Sequence, residues 1–423
     1  MRAPFYIVLF LIFGIMLLGI ATLQSGVLTL SIPLMAYLFA AIVQRPEGVQ
    51  LAATREVSPD YAPQGTPIKI RLILTNQGAA IDELTVQDVL PDGVKLVEGK
   101  PATVSSLEPQ GKITLEYTVA ASRGEYNAYE VLIYARDSRG LFSLPLVFRT
   151  TPRLIVRPHY PKLDRIKIRP PQTRGFAGPI ASRQGGTGTG FWGIREYQSG
   201  DPQHQINWRL AARPGQELYT NVYEQERVAD VGLILDARQR TNVIVPSGSL
   251  FEHAVRAAAA LSDNLLDDGN RVGLLVYGAA ISRVFPGYGR VQRDRILKAL
   301  SKAKPGVNYA LESLANLPTR FFPAKSQIIM VSPLLPEDIP VIVRMRAHGY
   351  AVIVISPDPI AFESTGDGHT PAYRIAFAER AFMLHQIRRS GAQIVNWHVD
   401  QPLEIAMRDA LALQPTSNNR IGL

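Results

Sequence analysis

Hydrophobic and polar positions divide this chain into stretches of different pattern. Residues 5–43 contain no charged side chain. Phe5–Leu23 is 19 residues of nearly unbroken apolar character, about 28 Å as a helix, the thickness of a bilayer core. Gln24, Ser25 and Gly26 break it, and Val27–Val43 supplies a second apolar segment of 17 residues. The pattern predicts a helical hairpin. Residues 50–150 switch to period two, as in Pro67–Thr75, with turns at Asn76-Gln77-Gly78, Pro91-Asp92-Gly93 and Arg123-Gly124-Glu125. Strands at Pro67–Thr75, Leu84–Val89, Ile113–Ala120 and Tyr129–Ala135, without a helical pattern among them, predict an all-β sandwich.

Residues 228–413 alternate again, now between short apolar runs and amphipathic helices. Strands are expected at Val231–Leu235, Val272–Tyr277, Ile281–Phe285, Gln327–Ser332, Ala351–Ser356 and Gln393–His398. Helices are expected at Val291–Ala303, Glu337–His348, Ala372–Arg389 and Leu403–Leu413. Another runs from a capping box at Ser249 and Glu252 to Asp268, stopped by Gly269, with 251, 254, 255, 258, 261 and 265 on one face. This alternation predicts an α/β doubly wound, mostly parallel sheet, whose ligands gather at the carboxyl ends of the strands, where Asp236 falls.

The expected organisation is therefore multidomain: 1–45 a transmembrane helical hairpin, 50–150 the sandwich, 151–227 a basic strand and loop region, 228–413 the α/β domain and 414–423 a polar tail. Arg2 precedes the hairpin and Arg45 and Arg55 follow it, whereas the connecting turn has no positive charge. The positive-inside rule then places the protein in the inner (plasma) membrane, multi-pass, with its soluble domains in the cytoplasm. A cleaved signal peptide is the competing reading of the first segment, which has a basic start and small residues at Gly19 and Ala21.

Charge adds one feature. The net charge is +9, and Arg153–Arg183 carries most of it, with Arg/Lys at 153, 157, 162, 165, 167, 169, 174 and 183 against Asp164. Arg165, Lys167 and Arg169 share one face if extended. Anionic lipid headgroups are one reading of this segment, ion pairing within the fold another. Nucleic acid is a weaker one. The chain has no cysteine, which removes disulfides, thiolate metal sites and cysteine nucleophiles. The seven histidines form no His-x-x-x-His pair. Gly185–Gly190 lacks the lysine and hydroxyl ending of a phosphate loop and is expected to be a turn. His204 near Asp201 has no nucleophile elbow around it.

The most distinctive stretch runs from Gly188 through Phe191, Trp192, Gly193, Arg195, Glu196, Tyr197, Gly200 and Asp201 to Asn207, Trp208, Arg209, Arg213, Tyr223, Glu224 and Glu226. Arg195, Arg209 and Arg213 can pair with Glu196, Asp201, Glu224 or Glu226, and Trp192, Tyr197 and Trp208 can cover those pairs. This stretch resembles the bacterial and archaeal family called domain of unknown function 58. Arg123-Gly124-Glu125-Tyr126 and Asp137–Phe142 resemble the same family's sandwich pattern. The resemblance implies a membrane hairpin, an immunoglobulin-like β-sandwich and a von Willebrand factor type A-like domain, in that order. It also implies association with a MoxR-type AAA+ ATPase, and it implies no reaction.

Full type A domains hold Mg²⁺ through an Asp-x-Ser-x-Ser loop, a threonine and a second aspartate. Here Asp236 matches the first ligand, but Arg238 and Arg240 replace the serines, Val307 falls at the threonine and Pro333 at the second aspartate. These positions read as a degenerate metal site. The guanidinium groups are expected either to neutralise Asp236 or to meet an acidic partner surface. The expected function is a membrane-anchored, non-enzymatic scaffold or adaptor without cofactor or metal. The alternative is an envelope-associated enzyme with its site in Arg195–Arg213. There Asp201→Asn would abolish activity, whereas in a scaffold it would strip the counter-charge from a buried arginine.

Overall fold

The computed structural model describes residues 3–43, 48–137, 139–164, 180–213, 217–308, 314, 321–363 and 370–412, excepting the side chains at 180–190, 192, 224–227 and 411–412. The predicted strand at Arg165–Arg169 and the tail 414–423 lie outside them. The chain divides into two compact units, Met1–Arg157 and Pro158–Leu423.

In the first unit the apolar segments form helices Ala3–Thr22, Ser25–Thr29 and Ser31–Val43. Two helical stretches, Ala3–Thr22 and Ser25–Val43, are long and apolar enough to cross a membrane by length and composition. They approach closely at Gly19, where a Cβ would lie 2.7 Å from the Leu28 side chain. A β-rich region follows. Leu51–Ser58, Ile68–Asn76, Lys112–Ala121 and Val94–Gly99 form one four-stranded antiparallel sheet, in that spatial order. Ser143–Thr150, Tyr129–Arg136, Ile81–Val89 and Ala102–Leu107 form a second. Alternate residues of Ile68–Asn76 are buried, as period two requires. Leu72 and Leu74 of the first sheet share a core with Leu84, Val86, Val131 and Ile133 of the second. Each such side chain, once buried, contributes about 1.5–3 kcal/mol.

That region also buries a charged pair that local pattern did not reveal. Arg55 bonds Asp88, and neither side chain is exposed. Tyr117 donates to Asp88, and the Arg55 guanidinium lies 4.4 Å from the Tyr129 ring centroid. Arg55 Nε and Nη1 and the Tyr129 hydroxyl have no hydrogen-bond partner among the described residues. Burial raises the Tyr129 phenol to about 12.

The second unit begins with a ribbon of Ile180–Glu196 paired antiparallel with Tyr219–Arg227. The glycine-rich stretch 185–190 belongs to this strand instead of forming a separate turn. Gly186 and Phe191 both oppose Tyr223, so the intervening residues are accommodated as a bulge. The sheet comprises β1 (Asp230–Ala237), β2 (Arg271–Gly278), β3 (Ile281–Gly287), β4 (Gln327–Val331), β5 (Ala351–Pro357) and β6 (Gln393–Trp397), in spatial order β3-β2-β1-β4-β5-β6. All pairings are parallel except β2 with β3. The helices are α1 (Leu250–Asp267), α2 (Gly289–Lys302), α3 (Ile339–Ala347), α4 (Pro371–Arg389) and α5 (Leu403–Ala412). Leu233 and Leu235 point into a core with α1, α2 and α5, whereas Ile234 joins the α3 and α4 side. The sheet is therefore covered on both faces, which is why its strands read as continuous apolar runs.

The apolar face predicted for α1 is buried, and Gly269, at φ +76, ends the helix. Its cap differs from the expected box. The Ser249 hydroxyl donates to Asn242 Oδ1, and that same oxygen accepts the Phe251 N–H. A cap from outside the helix replaces the local one.

Candidate functional site

Order β3-β2-β1-β4-β5-β6 reverses direction between β1 and β4, and the crevice at that point is where open α/β sheets take ligands. Asp236 ends β1 there with its side chain buried. Arg238, two residues on and only 3% exposed, turns back over it. Arg238 donates from N and Nε to Asp236 Oδ1 at 3.0 and 2.9 Å and from Nη2 to Oδ2 at 2.7 Å. The same guanidinium reaches Asp338, just before α3, through Nη1 at 3.0 Å and Nη2 at 2.8 Å. Ser332, directly after β4, donates to Asp236 Oδ2 at 2.7 Å and accepts the Leu334 N–H. Leu334 adopts φ +65, rare for a branched residue, and that hydrogen bond helps hold it. The buried Asp236–Arg238 pair thus links the ends of β1 and β4, through Ser332 on Asp236, with the start of α3, through Asp338 on Arg238.

Two carboxylates share that guanidinium. Burial works against the Arg238 charge, but Asp236 and Asp338 outweigh it and hold its proton more firmly than usual. Burial lifts Asp338 above the ordinary carboxylate range against the pull of Arg238, and Asp236 adds to the lift.

The degenerate metal-site positions separate in space and role. Arg238 neutralises Asp236, and its burial removes it from any partner surface. Arg240 pairs instead with Glu337, both partly exposed. Val307 is exposed; its neighbour Gly306 bridges the loop after β1, accepting the Gln239 N–H and donating to Ala237 O. Pro333 contributes only its carbonyl, which accepts from Ser356 Oγ and from Arg380 Nη1. These residues do not fit a divalent cation, because a fixed positive charge stands between the carboxylates. Among the described residues no group of three or more His, Asp or Glu side chains could hold a metal ion.

Sequence reasoning missed Ser332, Asp338 and a second buried arginine. Arg380 of α4 bonds Ser356 Oγ and Asn396 Oδ1, both at 2.9 Å, and lies 3.4 Å from Asp358. It ties the carboxyl ends of β4, β5 and β6 together. Burial loosens the Arg380 proton, and Asp358 opposes that effect.

The ribbon carries the distinctive motif. Arg195 Nη2 meets Asp201 Oδ1 at 2.6 Å, and Asp201 Oδ2 accepts from the Gln198 N–H and Thr220 Oγ1. Asn207 caps the short helix Trp208–Ala211 by accepting the Leu210 N–H, and its amide donates to Asn221. Gly200, at φ +108, makes the turn that brings Asp201 back. Arg195 is largely exposed, so the expectation of a buried arginine here is corrected: the motif turns on the surface. Trp208 is 63% exposed. Glu196 and Arg213 are exposed and Tyr197 is partly buried. The side chains of Trp192, Glu224 and Glu226 lie outside the described residues.

Arg195 holds the Asp201 carboxyl below its usual range, helped by the Gln198 N–H. A lowered carboxyl adds stability that is present above its ordinary value of 3.8 and is lost as pH falls through the lowered one. Protection of the Gln198 amide, measured as its exchange relative to the unstructured rate at each pH, is therefore expected to fall below that range in the parent protein. In Asp201→Asn this acid-dependent loss of protection should vanish, because the amide side chain does not titrate.

Several solved structures show limited similarity. Native alpha-2-macroglobulin from Escherichia coli, from domain MG7 to its C-terminus, is 21% identical, with a TM-score of 0.23 over 31% of this chain and 20% of that one. The FixG-related protein of Vibrio parahaemolyticus is 14% identical, with a TM-score of 0.16 over 25% and 97%. The cupredoxin domain of amoB from Nitrosocaldus yellowstonii is 11% identical, with a TM-score of 0.20 over 30% and 99%. This chain thus spans about a fifth of the alpha-2-macroglobulin chain. No curated protein matches it. Residues 193–365, which hold Arg195, Asp201, Trp208 and the whole Asp236–Arg238–Asp338 cluster, match the family described as protein of unknown function DUF58.

Proposed function

We propose that this protein is a membrane-anchored, non-enzymatic scaffold facing the cytoplasm, built from an immunoglobulin-like sandwich and a type A-like α/β domain. Its partner on this reading is a MoxR-type AAA+ ATPase, and its process the assembly or maturation of a larger complex. The observation that supports this reading is the filled crevice between β1 and β4. The acceptors that elsewhere receive a ligand are here taken by Arg238. Asp201, the acid on which an enzymatic reading of Arg195–Arg213 would depend, is likewise committed to Arg195, Gln198 and Thr220.

Cross-linking in intact cells, followed by gentle detergent extraction, tests the partner directly. Recovery of a MoxR-type ATPase is expected. Its absence together with turnover of a substrate would reject the scaffold. The exposed Trp208 is the expected contact residue, since aromatic side chains dominate binding energy. Trp208→Ala should change stability by no more than about 0.5 kcal/mol. It should weaken ATPase binding by about 2 kcal/mol or more, roughly 30-fold. Unchanged binding by titration would remove Trp208 from the interface.

A further inference from the structure

The first unit carries an interaction surface that neither the family match nor the filled crevice addresses. Helix Ala3–Thr22 has 20 residues, about 30 Å, so nearly all of it is needed to cross a bilayer core. Phe5 lies two residues from its start, and Ala41 two residues from the end of Ser31–Val43. Each is therefore about 3 Å from its helix end. Those positions are where the β-region touches the helices. Phe5, Ala41, Leu141 and Phe142 form one buried cluster, joined by Val8 and Leu38. The Phe5 and Phe142 rings are 5.4 Å apart at 57°. Farther along the first helix Phe10, Phe13 and Leu17 are exposed, so the β-region meets it at one end.

The polar contacts agree. Tyr37 Oη donates to Arg139 O at 3.4 Å, and Arg139 Nη1 lies 3.5 Å from Ala40 O. The last carbonyls of a helix lack internal donors and carry partial negative charge, and a guanidinium suits both needs. The corner itself is shaped for its place. Gly140 turns at φ +69, and Asp137 Oδ1 accepts the Phe142 N–H at 2.8 Å. Tyr6 lies at this end of the first helix and the Tyr37 hydroxyl reaches toward it from mid-helix, and tyrosine concentrates at the boundary between lipid and water.

We infer that the corner of Arg139, Gly140, Leu141 and Phe142 is seated in the headgroup layer of a phospholipid bilayer, clamping the β-region to its anchor as one rigid piece. The inference rests on the membrane reading above. It goes further, because a hairpin alone would serve equally as a loose tether.

The absence of cysteine makes the test clean, since one introduced thiol carries the only label. Nitroxide is attached at Phe13→Cys, in the exposed middle of the first helix, or at Leu144→Cys, two residues beyond Phe142. The full chain is placed in nanodiscs of phosphatidylcholine and phosphatidylglycerol, and collision with oxygen and with a water-soluble nickel complex is compared. The Phe13 label should be strongly protected from nickel. The Leu144 label should be protected severalfold relative to the same label on the detergent-solubilised, unfolded chain. Adding Phe142→Ser should return the Leu144 label to water while leaving the Phe13 label buried. A protected Phe13 label beside a water-exposed Leu144 label would overturn the headgroup seat. A Leu144 label indifferent to Phe142→Ser would overturn the clamp. A water-exposed Phe13 label would instead reject the membrane reading itself.

Discussion

Arg238→Ala is expected to destabilise the second unit by about 3–5 kcal/mol, because it leaves Asp236 and Asp338 buried and facing each other without their shared cation. Few single substitutions in the chain should cost more. All three tryptophans (192, 208 and 397) belong to this unit, so denaturant titration followed by tryptophan emission reports on it alone. Arg238→Lys keeps the charge but loses the planar fork that spans both carboxylates, and should recover only part of the loss. The pair Arg238→Ala and Asp338→Ala should cost less than the sum of the single changes, since the second removes the charge the first orphaned. A loss below about 1 kcal/mol for Arg238→Ala would show that the crevice opens to water and the cluster holds nothing together.

Asp88→Ala is expected to have a comparable effect on the first unit, about 3–5 kcal/mol. It strands Arg55, whose Nε and Nη1 already lack partners among the described residues, and it removes the acceptor of Tyr117. No tryptophan reports here, so the measurement is hydrogen exchange along Ile68–Asn76 and Lys112–Ala121. Burial lifts Asp88 above the ordinary carboxylate range even beside Arg55, and the desolvation of a buried pair generally offsets much of its attraction. Breaking half of it is what costs. Arg55→Met with Asp88→Leu should therefore recover most of the stability lost in Asp88→Ala. A double variant as unstable as the single one would mean that the pair is needed for the two sheets to choose each other.

The elements were legible in the sequence because their signals are local. The charge-free run at 5–43, the alternation of Pro67–Thr75 and the apolar stripe of α1 each depend on neighbours within a few positions. The site was legible only in part, for the opposite reason. Asp236 and Arg238 are two residues apart and could be paired by inspection. Asp338 is 100 residues away, and nothing in its surroundings, Pro336-Glu337-Asp338, distinguishes an acid that caps a turn from one that completes a buried ion cluster. Arg240, equally close to Asp236, found Glu337 because its position after the bend faces outward. The same limit hid Arg55 with Asp88 and Arg380 with Asp358, pairs made by tertiary packing and not by spacing. The expected capping box failed similarly, since Asn242 competes from outside the helix.

The positive charge in the crevice between β1 and β4 is carried by the polypeptide itself. It is delivered with every copy at synthesis, in fixed stoichiometry, and no chelator or swing in cellular magnesium can withdraw it. An adhesive contact gated by ion supply is therefore closed to this crevice. Any change of state there has to part a guanidinium from two acids at once, a larger rearrangement than the loss of a bound ion.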